Sequence, residues 1–404
     1  MNQFRKQLPY VFRPPRYSPW FKPVTTLVSS YFLKRKFKIT DIKITGADQL
    51  TELVRKKESI LVAPNHADHA DPSLMVTAAR RQGFSFHFMA AREGFDKSAI
   101  QRYFLQKSGA FSVNREGGDI GSIKTAIQIL QAGKFPLVIF PEGEIYHHHE
   151  QLDELNDGVA SILLRATSKL AEEKNSYVVP AAIRIRHGDN ITETFEERLD
   201  RLERHITWKP RPALDPVQRI YRFGSALLSI KEEEFLGHAQ QGPLIERLQS
   251  LQTKLLEPIE AIHGGLNADM TLPMRIKTLR AKIRKELTDE TKSVAPEQEE
   301  ELYDQLDRIF VAHQLYSYPG RYLKENPSND RIAETLFKLE EDILETEEYF
   351  GPRTAEITFD TPINIRNFLD KGGFNFKTGV APLTGTIREK VQALLGSLDA
   401  SVTK

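Results

Sequence analysis

A chain of 404 residues, 40% hydrophobic and 27% charged, has the length for two domains, or for one domain with a large insertion. Cysteine is absent, which excludes thiol nucleophiles, thiolate zinc sites and a disulfide framework together. A net charge of +1 argues against a general nucleic-acid binder.

Residues 1–45 hold ten Lys or Arg and a single acid, Asp41, interleaved with Phe4, Tyr10, Trp20, Phe21, Tyr31, Phe32 and Phe37. The segment has neither the apolar stretch nor the small-residue cleavage site of a signal peptide. No run of 18 apolar residues occurs, so no spanning helix is expected. Basic residues mixed with aromatics suit an arm lying at an anionic membrane surface, rings at headgroup depth. An arm packed on its own domain is the alternative.

From residue 59 short apolar runs alternate with amphipathic stretches. Strands are predicted over 59–63, 86–90, 110–113, 137–140 and 177–185, with helices over 73–81, 97–107, 119–132 and 156–174. This alternation predicts an α/β fold, an αβα layered domain over 46–190. Six Leu- and charge-rich helices follow between 193 and 349, punctuated by Pro210-Arg211-Pro212, Gly264-Gly265 and Tyr318-Pro319-Gly320. They read as a largely helical insertion, residues 191–350. A strand over 355–359 then returns to the sheet, and a C-terminal helix completes 351–404. A separate helical domain is the competing parse.

The strongest chemical signal is Asn65-His66-Ala67-Asp68-His69-Ala70-Asp71-Pro72, directly after the first core strand. On a continuous helix His66 and Asp71 would lie about 140° apart and could not meet. A turn followed by a helix starting at Pro72, with Asp71 as its cap, brings them within reach. Such a pair suits general-base work: the imidazole takes a proton from a hydroxyl while the carboxylate fixes its tautomer. Asp71 as cap alone and His66 as plain loop is the alternative reading, and His69 offers a second imidazole three residues on.

Three further blocks follow in order: Gly109-Ala110-Phe111-Ser112-Val113-Asn114-Arg115, Phe140-Pro141-Glu142-Gly143 and Val179-Pro180-Ala181-Ala182, with Gly158 before the helix that precedes the last. Together with His66 and Asp71 they make the chain resemble the glycerophosphate and lysophosphatidate acyltransferase family, the PlsC-like group, over roughly residues 50–190. The resemblance implies that His66 is the base and Asp71 its orienting partner, and that an acyl-CoA or acyl-carrier-protein thioester is attacked directly by a glycerol-type lipid hydroxyl. No cofactor, metal or covalent acyl-enzyme is implied. Arg115 would bind an acceptor phosphate, since a guanidinium fork matches phosphate geometry. Asn65, Glu142, Gly143 and Pro180 would help to form the substrate pocket. The implied location is cytoplasmic, peripheral on the inner face of a membrane.

The third block departs from the family pattern. Where a small polar residue, Arg and Ser usually follow, this chain has Glu144-Ile145-Tyr146 and then His147-His148-His149. An added carboxylate repels a phosphate dianion, so a less charged or non-glycerol acceptor becomes an alternative. The three histidines read as a solvated loop rather than a metal site.

Overall fold

The computed structural model describes residues 10–115, 119–188, 191–264, 270–288 and 295–400. Residues 1–9 of the expected arm, Glu116 beside Arg115, and Gly265 lie outside the described residues. The chain divides into two compact units. One holds residues 10–114, 119–191 and 345 onward; the other holds Arg115 and residues 192–344.

The first unit is built on an eight-stranded sheet: β1 (Ile39–Thr45), β2 (Ser59–Pro64), β3 (His87–Ala91), β4 (Ala110–Val113), β5 (Leu137–Val138), β6 (Ser176–His187), β7 (Arg353–Phe359) and β8 (Ile363–Asn364). The order is β1-β7-β6-β2-β5-β3-β4, with β8 on β6. β6, β2, β5, β3 and β4 run parallel; β7 is antiparallel to β6, and β1 follows β7. Every residue of β2 is buried, as expected of a parallel strand covered on both faces.

Alternation along β2 and β6 sorts the core. Leu61, Ala63, Val178 and Ala182 face a cluster with the helices Ile120–Ala132, Gly158–Thr167, Ile365–Gly372 and Val380–Ala400. The intervening Ile60, Val62, Val179, Ala181 and Ile183 are equally buried, outside that cluster. α2 (Ala47–Arg55) and α3 (Asp71–Arg81) pack on β7, and α1 (Lys22–Arg35) packs on α3. Helices therefore cover both faces, and the α/β expectation holds.

Ile39–Thr45 departs from the sequence reading, which left it in the arm. It pairs with β7 along its length, and Lys43 meets Glu356 at 2.6 Å. Charged side chains are usual on an edge strand, whose backbone is paired on one side only. The segment before it also packs on this unit. The Tyr10 hydroxyl donates to Asp119 at 2.5 Å, and the Arg13 amide donates to the Ser112 hydroxyl at 2.8 Å.

Pro180 sits well inside the sheet, opposite Ala63 of β2. Its carbonyl accepts from the Asp360 amide at 2.9 Å, so its missing N–H faces the same side. There β7 has ended at Phe359 and β8 has not begun, and the proline costs no ladder bond.

The second unit is helical: Thr192–His205, Pro216–Leu236, Leu244–His263, Leu272–Leu287, Pro296–Tyr316, Tyr322–Glu325 and Asn329–Leu344. Leu251, Leu255, Leu279, Ile283, Leu306 and Ile309 form its core. Buried charges are paired: Arg219 reaches Glu203 and Asp200, and Arg247 reaches Glu232. No described helix is long and apolar enough to cross a membrane.

Candidate active site

β2 and β5 are parallel neighbours, in register at Leu61–Leu137 and Val62–Val138. Their carboxyl ends open at one sheet edge, where α/β proteins place their ligand sites. The Ile139 amide extends the pairing to the Val62 carbonyl at 3.1 Å, and the two chains then diverge into loops. One loop carries Asn65–Ala70, the other Phe140–Gly143, so the first and third blocks face each other.

His66 Nδ1 lies 2.9 Å from Asp71 Oδ2. The same oxygen accepts the Ala67 amide at 2.9 Å and the Asp68 amide at 3.0 Å. Three donors on one oxygen fix both the carboxylate and the turn that carries the histidine. Asp71 is the first residue of α3 rather than the cap before it, and Ala70 takes the cap position. Its carboxylate is turned back onto the loop, because the loop amides and the imidazole supply better donors than the first helical turn. With Nδ1 protonated toward Asp71, Nε2 is left with its lone pair, the arrangement a general base requires. His66 keeps 15% of its side-chain surface accessible.

The third block braces this imidazole. Glu142 Oε1 accepts the His66 amide at 2.6 Å, and Oε2 accepts the Asp153 amide at 3.1 Å. The Phe140 ring stacks on the imidazole at 4.0 Å and 22°. Gly143 has φ +77°, and a Cβ there would meet Asn156 Nδ2 at 3.0 Å. That amide donates to the Pro141 and Glu142 carbonyls, holding the turn. Glycine is therefore the residue for this turn.

Burial raises the Glu142 carboxyl to about 8, and the Asp153 charge adds to the rise, against the two amides it accepts. A raised acid stabilises the fold fully below the ordinary carboxyl range and loses that contribution as pH climbs through about 8. Glu142→Gln should accordingly reduce the drop in Tm between about pH 5 and about pH 9, as read by thermal melts of variant and parent.

The remaining expected residues have other placements. Asn65 is buried and spends its amide on Ile183, donating to its carbonyl at 3.0 Å and accepting its N–H at 2.7 Å, which ties the end of β2 to β6. Arg115 is grouped with the helical unit, where burial of the Lys277 ammonium lowers it below its ordinary value and the Arg115 charge adds to the fall. The three histidines are not solvated: His147 and His149 are buried, and His148 Nδ1 lies 3.4 Å from Asp153. Their loop turns inward because Tyr146 and Leu152 are buried on either side. His69 meets His147 edge-on at 5.5 Å.

Sequence reasoning missed Asp68. Its carboxylate accepts from Arg353 Nη1 at 2.6 Å, and both side chains are buried. Burial pushes this carboxyl up, but the Arg353 guanidinium, with His149, holds it well below the usual range. No local signal could have linked two residues 285 positions apart.

No curated protein matches the chain. Residues 41–184 match the model of the acyltransferase family, a span that includes β2 through most of β6 and every residue of the His66–Asp71–Glu142 cluster. That match marks the protein as an acyl-transferring enzyme.

Proposed function

We propose that the enzyme is an O-acyltransferase, with His66 as general base, moving a fatty acyl group from acyl-CoA or acyl-carrier protein to a glycerol-type lipid hydroxyl. Glycerol 3-phosphate, a lysophospholipid or a related lipid is the acceptor. The carrying observation is the contact between His66 Nδ1 and Asp71, which leaves Nε2 to receive a proton. The acceptor hydroxyl gives its proton to Nε2, and its oxygen attacks the thioester carbonyl. The carbon–sulfur bond breaks, and the thiolate recovers the proton from the imidazolium. The products are an ester and a free thiol. Arg115 is assigned the acceptor phosphate on the resemblance of the second block.

Glu144 favours a second reading, an uncharged acceptor, because a carboxylate two residues beyond Glu142 opposes a phosphate dianion. The test offers palmitoyl-CoA with glycerol 3-phosphate, lysophosphatidate and monoacylglycerol in parallel, with products read by mass spectrometry. Acylation of a phosphorylated acceptor supports the first reading, and of monoacylglycerol alone the second. Thioester hydrolysis with no acylated acceptor overturns both.

Attachment to an anionic membrane surface is part of the proposal. Along Trp20 and α1, Trp20 is 93% exposed, Leu27 71% and Tyr31 62%, with Val24 on the same stripe. The opposite face, Thr25, Ser29 and Leu33, is the buried one. An apolar stripe turned outward beside Lys34, Arg35 and Lys36 suits the headgroup boundary. Inserting each large apolar side chain contributes about 1.5–3 kcal/mol. Trp20→Glu with Leu27→Glu should therefore abolish sedimentation with phosphatidylglycerol vesicles while leaving β1 in place. Unchanged sedimentation would move the contact elsewhere.

A further inference from the structure

The loop between β2 and α3 carries the base but has no ladder of its own to hold it. Its middle residue, Asp68, is held from outside. Asp68 Oδ1 accepts the Ala70 amide at 2.8 Å, and Oδ2 accepts from Arg353 Nη1 at 2.6 Å. Arg353 is fixed in turn. Its Nε donates to the Phe37 carbonyl at 2.9 Å, its amide donates to the Lys38 carbonyl at 2.8 Å, and its guanidinium lies 4.5 Å over the Tyr349 ring. Phe37 packs edge-on against the same tyrosine at 5.1 Å. From the other side of Asp68, its amide donates to Asp71 Oδ2, the oxygen that faces His66 Nδ1. A continuous set of contacts thus runs from the first residue of β7 to the imidazole.

A buried ion pair contributes little net stability compared with apolar residues of the same volume, so stability alone does not account for this pair. What it supplies is direction, because a two-point-anchored guanidinium allows the Asp68 carboxylate one placement. We infer that Asp68 and Arg353 are positioning residues for the general base, and that catalysis by residues 41–184 depends on the strand that returns after the helical segment. Arg353 lies outside the span matched by the family model. The inference rests on the reading of His66 as base and adds a residue from a distant part of the chain to its support.

The test uses the full chain, with Arg353→Gln, Arg353→Lys and Asp68→Asn compared with the parent. Two readouts go beyond folding. One is the 15N spectrum of the His66 ring, assigned by its loss in His66→Ala, which reports the tautomer without any substrate. The other is the split between kcat and the KM for palmitoyl-CoA, with the acceptor that the parallel assay selects. The parent should show a single tautomer with Nδ1 protonated. Arg353→Gln should move the ring signals toward a mixture of tautomers and lower kcat by about 10- to 100-fold, with KM within about two-fold. Arg353→Lys keeps the charge but not the fork and should fall between the two. Where Arg353→Gln fails to fold, Arg353→Lys and Asp68→Asn carry the same readouts. Folded variants with the parent's tautomer and kcat overturn the inference. Undiminished transfer by His66→Ala would instead overturn the reading of His66 as base.

Discussion

Removing the imidazole, by His66→Ala, is expected to lower acyl transfer at least about 10³-fold while the fold survives. In the proposed reaction the attacking alcohol is a weak nucleophile while it keeps its proton. His66 has the placement to receive that proton, with Nδ1 against Asp71 and Nε2 left as acceptor. Its other anchor is a backbone amide, donated to Glu142, which alanine retains. The variant therefore loses the imidazole and the Phe140 stack but keeps the loop, so its Tm should lie close to that of the parent. Steady-state transfer assays and thermal melts on the two proteins check both halves. Equal rates would remove His66 from the chemistry.

Asp71→Asn is the second large loss, through a different cause. An asparagine oxygen can still accept the three donors that converge on Oδ2, so geometry is largely kept. What disappears is the negative charge beside the imidazolium of the proposed transfer. Two unit charges roughly 4 Å apart interact by about 4 kcal/mol at an effective dielectric near 20, which corresponds to a rate loss of about 10³-fold. The other carboxylate oxygen, Oδ1, is buried with no hydrogen-bond partner among the described residues. An amide nitrogen placed there is left unsatisfied, and about 1–3 kcal/mol of stability goes with it. Rate and stability should therefore fall together in Asp71→Asn, while in His66→Ala only the rate collapses. A variant that matches the parent's kcat would show that the imidazolium needs no counter-charge.

The parts of the fold visible in the sequence are those dictated by burial. Ser59–Pro64 and residues 177–183 are apolar runs because they lie deep in the sheet, and they read as strands at once. The helices of residues 192–344 announce themselves by period and by proline or glycine at their ends. Ile39–Thr45 was hidden because an edge strand pairs on one side only and here carries Thr40, Asp41 and Lys43, which look like part of a basic arm. At the site, the approach of His66 to Asp71 was legible because both ends lie in one short loop. The roles of Asn65 and Asp68 were not, since their partners, Ile183 and Arg353, are set by strand order rather than by neighbours in sequence. The inward turn of His147 and His149 was hidden for a related reason: three adjacent imidazoles look polar until Tyr146 and Leu152 are seen to be buried on either side.

The most direct measurement is the protonation pattern of the His66 ring in the purified full chain, read from 15N shifts at a pH where the ring is neutral. A hydrogen on Nδ1 and a bare Nε2 is the result this arrangement predicts. A hydrogen on Nε2 would contradict it, because the nitrogen assigned to take the acceptor's proton would already carry one.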